Sequence, residues 1–97
     1  MAYSNEDIDD AIERIAGDVA RRFDIPEFHG PAMAALVDDL RHMEAARRGG
    51  DTAAAAASAT AAQPELERYR PTNATSRSKA VLSELVAEIT GPQGHAT

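Results

Sequence analysis

The sequence predicts an all-α protein made of an antiparallel helical hairpin, an alanine-rich linker and a C-terminal amphipathic docking helix. Apolar residues recur at helical spacing in three separate segments, and glycine and proline residues separate or end those segments. The predicted units are an acidic hairpin at residues 1–50, the linker with an extended segment at 51–74, and the amphipathic helix with a tail at 75–97.

The first helix of the hairpin is predicted to begin near residue 5 and to end before Pro26. Ser4 and Asp7 have the S-x-x-D spacing of a capping box, and a proline pushes the residue before it out of helical geometry. Large apolar side chains on one face follow a spacing of three or four residues: Ile8, Ile12, Ile15, Val19 and Phe23.

The second helix is predicted to start at Pro31, a favoured first helical position, and to stop at the Gly49-Gly50 pair. Its apolar face consists of Met33, Leu36, Val37, Leu40 and Met43. The connector between the two helices is short, so we expect them to be antiparallel. Three apolar side chains are expected to close the corner: Phe23, Ile25 and Phe28.

Residues 51–63 are of low complexity and contain no large side chain. Alanine favours helix, and Asp51 is a suitable N-cap, but an isolated helix of this length is marginal and has nothing large to pack. We therefore expect a flexible or partly helical linker. Leu66 and Tyr69, in the segment that follows, are candidate anchors.

The last periodic segment is predicted to form a helix of about 14 residues that ends at Gly91-Pro92. Only 16 of the 97 residues are Leu, Ile, Val or Phe, below the ~20% at which a chain has difficulty burying enough apolar surface. The alanine-rich segment is not expected to cover the apolar face of this helix, so we expect a partner to do so. The predicted partner-binding residues are Val81, Leu82, Leu85, Val86, Ile89, Leu66, Tyr69 and Arg70.

Composition excludes several classes of protein. The net charge of -6 argues against a nucleic-acid-binding protein, and the absence of cysteine excludes disulfide frameworks and thiolate metal sites. No apolar run is long enough to cross a membrane, and the acidic start lacks the features of a signal peptide. We expect a cytoplasmic protein that binds neither nucleic acid nor membrane.

The motifs that could support chemistry are weak. Asp39 and His42 form half of a carboxylate–histidine metal motif, but no second motif repeats the spacing. Ser76 and Lys79 match S-x-x-K without the other motifs that this chemistry requires, so helix capping is the preferred interpretation. We expect no catalytic residue, no metal and no cofactor.

A local basic segment lies within the otherwise acidic chain. We expect a solvated linker and helix start here, with contact to an acidic partner or a phosphate as the alternative. The segment contains Arg68, Tyr69, Arg70, Arg77 and Lys79.

The layout resembles a family of small subunits. The chain has an amphipathic helix, the segment Asp24-Ile25-Pro26-Glu27-Phe28 and a second helix that ends in Arg47-Arg48, and Arg70-Pro71 precedes a further helix. This order of elements resembles that of the C subunits of tRNA-dependent amidotransferases and of the short subunits of bacterial amidase complexes. The resemblance implies a helical hairpin followed by a strap that wraps a large amidase, whose own residues perform catalysis.

The sequence therefore predicts a non-enzymatic accessory or assembly subunit that binds and stabilises a larger protein, or a second copy of itself, through apolar helix faces. One alternative is a small acidic inhibitor or antitoxin-like regulator that blocks a basic surface with Asp9, Asp10 and Glu13. Another is a viral or capsid-type structural component.

Overall fold

A computed structural model describes residues 3–95 of the chain, with side chains up to residue 91. Its described part is all-helical and contains no strand, which confirms the all-α class but not the finer layout predicted with it. The four helices are α1 (Asn5–Arg22), α2 (Gly30–Arg48), α3 (Thr52–Arg68) and α4 (Ser76–His95), with a short 3-10 helix at Pro26–Phe28. Each helix packs against its neighbour in the chain, and α1 also packs against α4, so the helices form a closed four-helix bundle.

Helix α1 begins where the sequence predicts. The Ser4 hydroxyl accepts a hydrogen bond from the Asp7 backbone N–H at 3.1 Å, and the Asp7 carboxylate accepts one from the Ser4 N–H at 3.3 Å. This capping box satisfies two backbone donors at the start of the helix. The predicted apolar stripe is buried from Ile8 to Val19, but Phe23 lies beyond the end of the helix and is 42% exposed.

The turn into α2 requires two unusual backbone positions. His29 adopts a left-handed conformation with φ of 57°, and Gly30 packs so closely against Phe23 that a Cβ at position 30 would overlap the Phe23 carbonyl oxygen. At the other end of α2, Gly49 donates a backbone hydrogen bond to Ala45 at 3.0 Å, and Gly50 has a φ of 80°. The predicted glycine stop of α2 is therefore present.

The predicted alanine-rich linker is wrong, because most of it belongs to α3. Asp51 caps this helix by accepting a hydrogen bond from the Ala54 N–H at 3.0 Å. Side chains at helical spacing face the interior: Ala55, Ala59, Ala62 and Leu66. Small side chains let two helix backbones approach closely, and α2 and α3 make the most extensive helix contact of the bundle. Alanine side chains were expected to have nothing large to pack against, whereas those of α3 form one side of the core.

The predicted docking helix is also placed differently. Helix α4 packs against α1 and α3, which bury Val81, Leu82, Leu85 and Val86, while Ile89 is half-buried against the same core. The expectation that this face lacks a partner within the chain is therefore wrong. The helix also continues through Gly91-Pro92 to His95 rather than ending there.

Replacing Ala59 by leucine tests the packing of α3. Ala59 is fully buried, so three extra heavy atoms must strain the close α2–α3 contact, and we expect a loss of about 1–3 kcal/mol in unfolding free energy. Urea denaturation followed by circular dichroism measures it. Ala57→Leu, at an exposed position of the same helix, is the matched control and should change stability by less than about 0.5 kcal/mol. Equal effects of the two substitutions would contradict a packed α3.

Candidate partner-binding site

A groove of about 820 Å³ lies at the end of the bundle where the α1–α2 connector meets the α3–α4 connector. We call it the connector groove. Its apolar lining includes Ile25, Phe28, Ala32 and Met33. Charged side chains from both connectors and from the neighbouring helix ends also line it: Arg22, Glu27, Glu65, Glu67, Arg68, Arg70 and Lys79.

A buried polar network fixes the frame of the groove. The side chain of Asp18 on α1 is only 2% exposed, and the Tyr69 hydroxyl donates a hydrogen bond to its Oδ2 at 2.6 Å. Arg22 binds both oxygens of the same carboxylate, with its Nε 3.0 Å from Oδ1. The Thr75 hydroxyl lies 3.0 Å from that of Tyr69. Every polar atom of the buried carboxylate therefore has a partner, as burial of a charge requires.

Arg22 links this network to the groove lining. Its guanidinium stacks over the Phe28 ring at 4.2 Å and donates from Nη2 to the backbone oxygen of Arg70 at 2.7 Å. Phe28 also meets the Tyr69 ring edge to face, with centroids 6.2 Å apart. One arginine thus joins the end of α1, the α1–α2 connector and the α3–α4 connector.

The pKa shifts in this network favour fixed protonation states. Burial alone would raise the pKa of Asp18, but hydrogen bonds from Arg22 and Tyr69 and the charges of Arg22 and Arg21 outweigh it, so the pKa is lowered. Burial, followed by the hydrogen bond to Asp18, raises the pKa of Tyr69. Both groups keep one protonation state around neutral pH, which suits a structural role better than proton transfer.

Two side chains of the predicted basic segment, Lys79 and Arg68, bind groups of this chain and not a ligand. The Lys79 ammonium donates to the backbone oxygens of Tyr69 at 2.6 Å and Glu67 at 3.3 Å, at the C-terminal end of α3. Arg68 pairs with Glu65 at 3.0 Å. The exposed Arg70 side chain has no hydrogen bond or ion pair within the described part of the chain, so its guanidinium is available to a ligand.

The structure places the predicted partner-binding residues in two groups. Tyr69 and Arg70 line the connector groove. Leu66 and the large side chains of α4 lie in or against the core and form no outer surface.

Two residues of the groove region were not recognised as exposed. Phe23 and Ile25 were expected to close a corner, yet they are 42% and 45% exposed. Asp18 was also missed, although it has a signal in the sequence: it continues the three-and-four spacing of the α1 apolar stripe after Ile15 and has an arginine four residues later.

The acidic residues of α1 are largely neutralised within the chain. Asp9 pairs with Arg48 at 2.8 Å, Asp10 with Arg14 at 2.7 Å and Glu13 with Arg41 at 2.5 Å; the six residues therefore form three local ion pairs. A basic partner surface would compete with these arginines for carboxylates that are more than half exposed. The inhibitor alternative, which invoked these carboxylates, stays a prediction.

A second buried carboxylate lies at the opposite end of the bundle. Glu44 has a side chain that is 6% exposed and forms ion pairs with Arg47 at 2.6 Å and Arg48 at 2.7 Å. Both arginines also reach Asn5 at the start of α1, and hydrogen bonds to Glu44 and Asp9 raise their pKa values. This end of the bundle is closed by arginine contacts between α1 and α2.

The weak chemical motifs do not form a reactive site in the described residues. Ser76 donates its hydroxyl to the Thr72 backbone oxygen at 2.9 Å, while Lys79 binds the carbonyls of α3, so neither activates the other. No group of three or more histidine, aspartate or glutamate side chains within residues 3–95 is arranged to bind a metal ion.

Comparison with protein-family models, with curated proteins and with solved structures gave no match. The resemblance to amidotransferase small subunits therefore stays a prediction, and the strap that it implies is not observed, because the chain after Arg48 folds back as α3 and α4. Among the described helices, none has the length and apolar character needed to cross a bilayer.

Removing the Tyr69 hydroxyl tests the buried network. In Tyr69→Phe, Asp18 loses a hydrogen bond at a buried site, and we expect a loss of about 1–2 kcal/mol in unfolding free energy. Tyr3→Phe is the matched control, because the Tyr3 hydroxyl bonds Glu84 at an exposed site and its loss should change less than about 0.5 kcal/mol. Urea denaturation measures both, and an unchanged midpoint for Tyr69→Phe would contradict a stabilising network.

The lowered pKa of Asp18 predicts how stability depends on pH. In an unfolded chain the pKa of aspartate is about 3.9. Because the pKa of Asp18 is lower in the folded protein, its carboxylate takes up a proton only at more acidic pH. Its contribution to the free energy of unfolding is therefore present above about pH 5 and is lost progressively as the pH falls below about 4. Asp18→Asn should therefore cost most stability near neutral pH, and the difference from the original protein should shrink at about pH 2.5. Urea denaturation across this range measures the difference, and a constant gap would contradict the lowered pKa.

Proposed function

We propose that this chain is a non-enzymatic helical accessory or assembly subunit that binds a larger protein, and that the connector groove is the binding surface. The observation that supports the proposal most directly is the exposure of Phe23 and Ile25. All other large aliphatic and aromatic side chains in the described region are at least partly buried, whereas these two are 42% and 45% exposed. Ile25 lines the groove directly.

The surroundings of these residues favour binding over a simple packing defect. Exposed apolar groups beside a concave surface are typical of sites that bind a partner side chain. The groove is framed by the buried Asp18–Arg22–Tyr69 network, so its walls need little ordering when a partner enters.

The extent of the surface favours a segment of a larger protein over a second copy of this chain. A stable symmetric dimer buries roughly 800 Å² per partner. Two half-covered apolar side chains expose far less than that, but they suffice to receive an anchor side chain. The apolar face of α4 does not serve this purpose because it lies in the core.

Substituting Ile25 tests the proposed function. Ile25→Asp places a charge in the apolar part of the groove, and because the side chain is exposed we expect the bundle to stay folded. The partner is first identified by affinity capture and mass spectrometry and then purified. Its affinity for Ile25→Asp, measured by calorimetry, should fall about tenfold or more.

Ala87→Asp is the matched control, because it adds the same charge at an exposed position of α4 away from the connector groove. This variant should bind the purified partner as the original chain does. Undiminished binding by Ile25→Asp, with helicity intact in both variants, would exclude the groove as the contact surface.

A further inference from the structure

The first turn of α4 lacks the cap that a helix start normally has. Thr75 is the residue before this helix, and a hydroxyl at that position usually accepts a hydrogen bond from the backbone N–H two or three residues further on. The Thr75 oxygen instead lies 3.0 Å from the Tyr69 hydroxyl and accepts from the Thr72 N–H at 2.8 Å. The N–H groups of Arg77 and Ser78 are therefore left without an acceptor in the described part of the chain.

A third unpaired donor lies beside these two N–H groups. Ser78 is only 4% exposed, and within residues 3–91 its hydroxyl has no hydrogen bond. The hydroxyl oxygen is not closed off, because Ser78 lines a cleft of about 280 Å³ between α1 and the start of α4, which we call the α1–α4 cleft. Polar groups of buried residues are almost always paired in folded proteins, so a group that enters this cleft is the partner expected for these donors.

Four charged side chains line the α1–α4 cleft: Asp7, Asp10, Arg14 and Arg77. Asp10 and Arg14 neutralise each other in an ion pair of 2.7 Å. Asp7 accepts the Ser4 N–H in the first turn of α1, where the helix dipole offsets part of its charge. The Arg77 guanidinium has no hydrogen bond or ion pair among the described residues. Arg77 and the start of α4 therefore match an occupant with one negative charge, whereas a doubly charged group meets uncompensated repulsion from Asp7.

We propose that the α1–α4 cleft binds a carboxylate group, which accepts hydrogen bonds from the Arg77 and Ser78 N–H groups and from the Ser78 hydroxyl. Free N–H groups at a helix start favour an anion. The volume of the cleft is below the roughly 300–1,000 Å³ of pockets that hold drug-sized ligands, so the occupant is a small organic acid or one acidic side chain of another protein. The cleft shares no lining residue with the connector groove, so this inference goes beyond the function proposed above.

Titration of the full, isotope-labelled chain tests the inference by NMR. The probes are sodium acetate, acetamide and methyl phosphate, compared at constant ionic strength. Acetate should shift the amide resonances of Arg77 and Ser78 in a saturable way, because these N–H groups become hydrogen-bonded to an anion. Acetamide has nearly the same shape without the charge and should not. Methyl phosphate, which is close to doubly charged at neutral pH, should bind more weakly than acetate.

Two variants test the donors separately. Ser78→Ala removes the hydroxyl and Arg77→Gln removes the positive charge, and each should lower the affinity for acetate roughly tenfold. Ser83→Ala, at an exposed position of α4, and Arg41→Gln, at an exposed position of α2, are the matched controls and should leave it unchanged. Circular dichroism checks that all four variants keep their helicity.

Two terminally blocked tripeptides, alanine–glutamate–alanine and alanine–glutamine–alanine, distinguish the sources of the carboxylate. Tighter binding of the glutamate peptide than of acetate assigns the cleft to an acidic side chain of another protein, and equal or weaker binding assigns it to a small organic acid. The absence of saturable shifts at Arg77 and Ser78, equal binding of acetate and acetamide, tighter binding of methyl phosphate, or unchanged acetate affinity in Ser78→Ala would each overturn the inference.

Discussion

The close packing of α3 against α2 is the contact on which the rest of the bundle depends. Small alanine side chains on α3 let the two backbones approach closely, and the α2–α3 contact is the most extensive of the bundle. This position of α3 gives α4 a surface to pack on. The same contact brings the C-terminal end of α3 beside the α1–α2 connector, so that Glu65 and Tyr69 meet Phe28 and Met33 across the connector groove. The groove is therefore a consequence of how the alanine-rich helix packs.

Buried carboxylates connect the helices at both ends of this bundle. Asp18 joins α1 to the α3–α4 connector through Tyr69, and Glu44 joins α2 to the start of α1 through Arg47 and Arg48. A buried carboxylate that loses its partners costs several kcal/mol, so these contacts penalise other alignments of the helices. In a core with many alanines, whose small side chains specify register weakly, such directional contacts supply the missing specificity.

The predictability of each element depended on whether its signal was local. The capping box at Ser4, the glycine stop after α2 and the apolar stripes of α1, α2 and α4 are local patterns, and the structure contains all of them. Residues 51–63 have no large side chains, so their role depends on how closely another helix can approach, which a count of large apolar residues does not reveal. The groove depends on the meeting of two distant connectors, and of the predicted partner-binding residues only Tyr69 and Arg70 line it.

The two carboxylates near the groove differ in how completely their oxygens are hydrogen-bonded. Asp18 receives donors from Arg22 and Tyr69 for both of its oxygens, so a ligand has nothing to add. Glu65 has one oxygen paired with Arg68 and one buried without a donor, in a wall that also contains apolar side chains. A fold under selection for stability alone gains by replacing such an orphaned charge with a neutral or apolar group. The unpaired oxygen of Glu65 is also closed to solvent, so its charge is a cost of the packing at the C-terminal end of α3 and not a contact that the groove offers.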